Sequence, residues 1–199
     1  MNNGPLIKIE APAAAEICAR FDAKKEALAL LREGMTPRDF VDALVAGRQY
    51  VTGIEFLAHA LPPREGVWWG CLCLQHACGN SLTPPDRAAV FAAVQWVTQP
   101  TEANRAAAQV PAQAAGLGSP AGFLAAAASC AGAGAAGSIS PAKSVANAVK
   151  MATTKGDAVH FADTQRLFVE LGTGVAEGRW PWPEVRNDAP AFGRTWAGD

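Results

Sequence analysis

Apolar positions recur along most of this chain at three- and four-residue intervals, and Pro, Gly and hydroxyl residues break the pattern at short distances. That rhythm predicts amphipathic helices with brief connections, each begun by a cap and stopped by glycine or proline. A first helix is expected over 11–21, with Pro12 near its start, and a second from Asp22 to Glu33, halted by Gly34. Thr36-Pro37-Arg38-Asp39 reads as a helix start: threonine caps, proline takes the first helical position, and aspartate follows three residues after the cap. Phe40, Val41, Leu44 and Val45 then share one face up to Gly47. The next helix covers 49–61, with Val51, Ile54, Leu57 and Ala58 turned inward, and Pro62-Pro63 ends it.

From Glu65 to Cys78 the chain is apolar nearly all round, as expected of a central buried helix. Thr83-Pro84-Pro85-Asp86 repeats the cap pattern and opens a helix to Thr98, and Pro100-Thr101-Glu102 opens one over 102–115. Ser119-Pro120 starts a helix that reaches Cys130, and Ser140-Pro141 another that reaches Lys155. A last long helix spans Ala158 to Glu177 and carries Val159, Ala162, Leu167, Val169 and Leu171. The expected fold is all-α, about ten short helices in an irregular bundle or a short α-solenoid-like stack. One helical domain covers 1–178, and the Trp/Pro-rich tail, 179–199, runs irregularly over its surface.

Composition strengthens this reading. Half of the residues are apolar but only 8% are aromatic, and alanine, a strong helix former and poor strand former, supplies much of the difference. A chain of 199 residues buries enough surface to need neither disulfides nor metals. The net charge of −1 is spread without a basic stripe, which argues against a nucleic-acid partner. Five cysteines, Cys18, Cys71, Cys73, Cys78 and Cys130, are odd in number, and the first residues lack the basic and apolar regions of a secretory signal. Reduced thiols in the cytoplasm are expected.

Several stretches imitate active sites. Gly132 to Gly137 spells G-x-G-x-x-G, with Asp157 twenty residues after Gly137, the spacing of a dinucleotide fingerprint. That mechanism needs a strand before the glycines and another before the acid, and both places read as helix, so no cofactor is expected. Residues 106–142 carry no charge, but their large apolar residues are few and Pro111 and Pro120 interrupt them, so no membrane span is expected. Cys71, Cys73, His76 and Cys78 have the look of a metal cluster, yet on a helix they diverge around the axis, and a single tetrahedral site would need His59 or His160 to complete part of it. No metal and no catalytic residue is assigned. A Cys130–His160 pair remains the basis of an alternative reading, a helical Cys/His hydrolase assembled from distant residues.

Trp68-Trp69 and Trp180-Pro181-Trp182-Pro183 stand out. Adjacent helical side chains are about 100° apart, so one of the first pair is expected in the core and the other near a groove or interface; the alternative is that both are large residues plugging a gap between small-residue helices. The run 35–75, with Ala60-Leu61-Pro62-Pro63-Arg64-Glu65 followed by Val67-Trp68-Trp69-Gly70-Cys71-Leu72, resembles a bacterial family of small helical proteins of unknown function; Glu177-Gly178-Arg179-Trp180-Pro181-Trp182-Pro183 fits the same pattern. The resemblance implies proximity to type VI secretion genes, hence an accessory, adaptor or effector-chaperone role, and supplies no catalytic residues. The expectation is a non-enzymatic protein-interaction module that binds another protein, a secretion effector or component, through Trp69, Trp180 and Trp182.

Overall fold

The computed structural model describes residues 4–132, 140–155 and 158–183. Among the described residues there are eleven α-helices, a single 3₁₀ turn and no strand. They are α1 (Ala14–Cys18), α2 (Lys25–Leu28), α3 (Pro37–Ala46), α4 (Tyr50–Ala60), α5 (Pro63–Cys78), α6 (Pro84–Thr98), α7 (Glu102–Ala107), α8 (Gln109–Ala115), α9 (Pro120–Cys130), α10 (Pro141–Ala152) and α11 (Phe161–Ala176), with the turn at Ala158–His160 leading into α11. The fold is all-α.

The hydroxyl caps fall where the sequence placed them. Thr36 accepts from the Asp39 amide at 3.2 Å, and Thr83 from the Asp86 amide at 3.3 Å. Thr101, Ser119 and Ser140 cap α7, α9 and α10 through the amides of Asn104, Ala121 and Lys143. Each satisfies a first-turn N–H that the helix cannot.

Three expected helices come out differently. The first shrinks to five residues and the second to four. In α2 only Ala27 is fully buried, Leu28 is 40% exposed, and Lys24 gives no side-chain cap. So short a segment forms a helix only against a packed face, and this one has little. The helix expected over 102–115 breaks at Ala108. Pro111 lacks the N–H that would bond the Ala107 carbonyl, and its ring crowds that carbonyl, so the chain starts a new helix.

The helices form an irregular bundle around α5, which packs on α6, α9, α10 and α11. α4 bridges to α3, α10 and α11 on one side, and α9 gathers α6, α7, α8 and α10 on the other. Trp69 of α5 is fully buried, and its Nε1–H donates to the Phe168 carbonyl of α11 at 2.8 Å. Beside that bond stands Gly172, where an added Cβ would lie 2.7 Å from the Trp69 ring and 3.0 Å from Leu57. Thus α11 meets α4 and α5 through a glycine, close enough for the indole to reach its backbone. Phe40 of α3 and Phe56 of α4, both fully buried, meet edge to face with centroids 5.0 Å apart.

The close approaches yield a paired prediction. A Cβ on Gly122 of α9 would sit 2.0 Å from the Gly116 carbonyl oxygen, an obstacle that cannot rotate away. A Cβ on Gly66 of α5 meets nothing nearer than Val145 at 3.8 Å. Urea denaturation should show Gly122→Ala losing about 1–3 kcal/mol, the cost of overpacking, while Gly66→Ala is neutral or gains up to about 1 kcal/mol from helix propensity. Equal effects for the two would contradict the packing described.

Candidate functional site

The face of α11 presents two stripes. Phe168, Val169, Gly172, Thr173, Val175 and Ala176 turn inward, whereas Leu167 and Leu171, one turn apart, are only half-buried. Opposite them on α3, Val41 is buried and Val45 is half-buried. These four side chains with Val169 line a groove of about 380 Å³ between α3 and α11, rimmed by Arg38, Asp42, Glu170, Glu177, Arg179 and Trp180. Both helices pack on α4. The walls of the groove are therefore fixed by the core.

The segment after α11 closes one end. Arg179 N–H donates to the Gly174 carbonyl at 2.9 Å, which turns the chain back over the helix. Trp68 Nε1–H donates to the Trp180 carbonyl at 2.8 Å. The Trp180 ring lies on Gly174, where a Cβ would come within 2.6 Å of it. Two residues on, the Arg64 guanidinium sits 3.9 Å above the Trp182 ring centroid, and that same side chain donates to the carbonyls of Val97 and Thr98. Arg64 thus joins the end of α6 to the C-terminal segment.

These contacts decide the tryptophans. Trp69 is fully buried and Trp68 is 3% exposed, so both belong to the core, a correction to the expectation that one would face a groove. The returning segment explains it: Trp180 lends its carbonyl to the Trp68 N–H and covers what would otherwise be an open indole. Trp180 itself is 38% exposed at the groove's edge, and Trp182 is half-buried against the core. The structure gathers Trp68, Trp180 and Trp182 around this segment and leaves Trp69 within the α5–α11 contact.

Glu177, whose side chain is 5% exposed, anchors the groove's closed end. Its carboxylate accepts from Arg38 Nη1 at 2.5 Å and from Arg179 Nε, while Arg38 Nε also donates to Asp42 at 3.1 Å. Burial pushes the Glu177 carboxyl upward, but hydrogen bonds from Arg179 and Arg38 outweigh it, and the group titrates below the ordinary glutamate range.

The imitated active sites fall elsewhere. Residues 133–137 of the glycine fingerprint and Asp157 lie outside the described residues. Burial pushes the Cys71 thiol up to about 12 and raises the Cys73 thiol well above the ordinary range, so both are neutral thiols packed as small hydrophobes. His76 is exposed and stands edge-on to Phe168, with Cys78 half-buried beyond it. Among the described residues no three His, Cys, Asp or Glu side chains converge as a metal set would. His59 stacks on Phe21 at 5.2 Å on α4, and burial lowers its pKa, with Arg20, Lys143 and Lys150 adding to the effect and Glu55 opposing it. Cys130 closes α9 beside Ser129, whereas His160 belongs to the turn entering α11. A larger cavity of about 500 Å³ lies among α5, α6, α8 and α9, with Cys78, Lys155 and Asp86 on its wall. Asp86 is engaged there by the hydroxyls of Thr83 and Ser119, which tie the starts of α6 and α9 together. Among the described residues no helix is long and apolar enough to cross a membrane.

Fold and site together define an all-α bundle with an apolar groove on its surface and a tryptophan at the groove's edge. The model of a family of unknown function, DUF6931, matches residues 40–176, and the chain belongs to that family. The match starts in α3 and ends with α11, so it takes in nearly all of both groove walls and stops short of the segment bearing Trp180. No curated protein and no solved structure matches the chain.

The pairing of Glu177 predicts an acid response. Because its folded pKa is depressed, its contribution is fully present above the unfolded value near 4.5 and is lost as pH falls through the folded value. Glu177→Gln should cost about 1–3 kcal/mol at neutral pH, the worth of hydrogen bonds to charged groups. Below pH 4.5 the variant's stability should fall less steeply than the wild type's in denaturation series. Parallel pH profiles would show that the two arginines do not hold this carboxylate.

Proposed function

We propose that the chain is a non-enzymatic protein-interaction module whose docking face is the groove between α3 and α11. The observation that carries this reading is Trp180: a 38% exposed indole, backbone-anchored by Trp68, beside an apolar floor set on rigid helices. An aromatic anchor next to an apolar cleft with a charged rim is how protein interfaces concentrate binding energy. Trp182 adds a supporting contact at the segment's far end, and Trp69 acts only through the core. The partner is another protein. The resemblance of residues 35–75 and 177–183 to a type VI-associated bacterial family supports an adaptor or chaperone role beside a secretion effector or component, in the cytoplasm.

The test is capture and affinity measurement with three variants. Trp180→Ala and Leu171→Asp should keep the wild-type melting temperature within a few degrees and weaken the partner by about thirtyfold or more, a hot-spot loss. Phe91→Ser, on the exposed side of α6, should leave binding unchanged. Undiminished capture by both groove variants would remove the groove from the interaction.

A further inference from the structure

The cavity among α5, α6, α8 and α9 has the size, the fixed walls and the polar groups of a small-molecule site. Its volume, about 500 Å³, falls within the roughly 300–1,000 Å³ of such sites. The walls are set before any ligand arrives. In the loop after α5 the Ser81 amide donates to the Cys78 carbonyl at 2.8 Å, and the Arg87 side chain to the Leu82 carbonyl at 3.2 Å. In the turn between α8 and α9 the Ser119 amide donates to the Gly116 carbonyl at 3.2 Å. Leu74, Leu82, Ala114, Ala115 and Pro120 make most of the lining apolar.

Two opposite charges stand on that lining. Asp86 is held in place, because the Thr83 hydroxyl donates to its Oδ2 at 2.7 Å and the Ser119 hydroxyl to its Oδ1. Each carboxylate oxygen has two lone pairs, so one hydroxyl apiece leaves capacity for a further donor. Lys155 follows α10, and among the described residues its ammonium pairs with no carboxylate. Cys78, on the same wall, lies within reach of both charges. Burial raises the pKa of its thiol, the Lys155 ammonium lowers it and the Asp86 carboxylate raises it. A simple anion entering here would meet the Asp86 charge, and a simple cation the Lys155 charge. A molecule with both signs of charge satisfies both groups, and an apolar remainder suits the rest of the wall.

We propose that this cavity binds a free amino acid with an apolar side chain. The α-ammonium pairs with Asp86, the α-carboxylate with Lys155, and the side chain lies on Leu74, Leu82 and Ala114. Hydrogen bonds between charged groups are about twice as strong as neutral ones, so the two pairs supply most of the selectivity. A ligand that lacks either charge leaves one cavity group facing it unpaired, which is how a polar site rejects a close analogue. The cavity is separate from the groove between α3 and α11, so this binding stands or falls independently of the proposed docking face.

Isothermal titration calorimetry of the full chain with L-leucine tests it, beside leucinamide, which lacks the carboxylate, and isocaproate, which lacks the amine. Leucine should bind, and each analogue should bind about tenfold more weakly or worse. Lys155→Gln should weaken leucine by about tenfold or more and leave leucinamide unchanged, because only the carboxylate loses its partner. Asp86→Asn should weaken leucine in the same way and leave isocaproate unchanged. If that variant loosens the tie between α6 and α9 and fails to fold, Ala114→Phe keeps the question answerable. Ala114 is an exposed residue of the wall, so a ring there should fill the cavity and abolish binding with the melting temperature retained. Leucine that gives no saturable heat at millimolar concentration overturns the proposal. So does binding that survives Ala114→Phe, or binding that does not distinguish leucine from its two analogues.

Discussion

The bundle depends on one tryptophan reaching one backbone carbonyl. Trp69 lies at the middle of α5, the helix that touches four others, and its N–H finds the Phe168 oxygen only because α11 presents Gly172 at that point. A buried indole without an acceptor would cost several times what the bond contributes. The contact therefore fixes the rotation of α11 as well as its distance. Once Phe168 and Gly172 face α5, Leu167 and Leu171 must face away from the deepest core. They become the wall of the groove for the same reason that Trp69 is buried.

Its neighbour in sequence extends the constraint to the surface. Trp68 points about 100° away from Trp69 and would be open to solvent if α5 and α11 were alone. The chain beyond α11 returns through the Arg179–Gly174 turn and sets the Trp180 carbonyl on the Trp68 N–H. Glu177, held by Arg38 and Arg179, and Trp182, held under Arg64, fasten the two ends of that return. A side chain exposed at the edge of a groove is normally costly to hold in one place. Here the backbone beneath Trp180 is held by the core, so the indole is pre-positioned and less ordering remains for a partner to supply.

Much of the architecture is legible in the sequence, because helix starts are local. Thr36, Thr83, Thr101, Ser119 and Ser140 each announce a helix within four residues, and each caps one. Where no cap or packed stripe exists, as over 22–33, periodicity alone overstates the helix. The last helix is less legible: Val159, read as part of its apolar face, falls in the turn before α11 and is 82% exposed, while Phe168, not singled out, is fully buried. Hydropathy sees apolar residues but not which of two adjacent stripes the glycine admits to the core. The groove was illegible for a related reason. Val41 and Val45 lie more than a hundred residues from Leu167 and Leu171, and only the shared support of α4 brings them together. Likewise, nothing in a tryptophan doublet reveals that a segment 112 residues away covers one member.

The central claim is that the core, acting through Trp68, holds the Trp180 segment in place at the groove. Hydrogen exchange on Trp68→Phe tests it most directly, since the substitution keeps the ring and removes only the N–H. The amides of Gly178 and Arg179, which donate to the Val175 and Gly174 carbonyls, should exchange much faster than in the wild type, Arg179 above all, while those of α4, α5 and α11 keep their protection. If the terminal segment keeps full protection without the indole N–H, or if the core loosens together with it, the account of a groove edge positioned by Trp68 is contradicted.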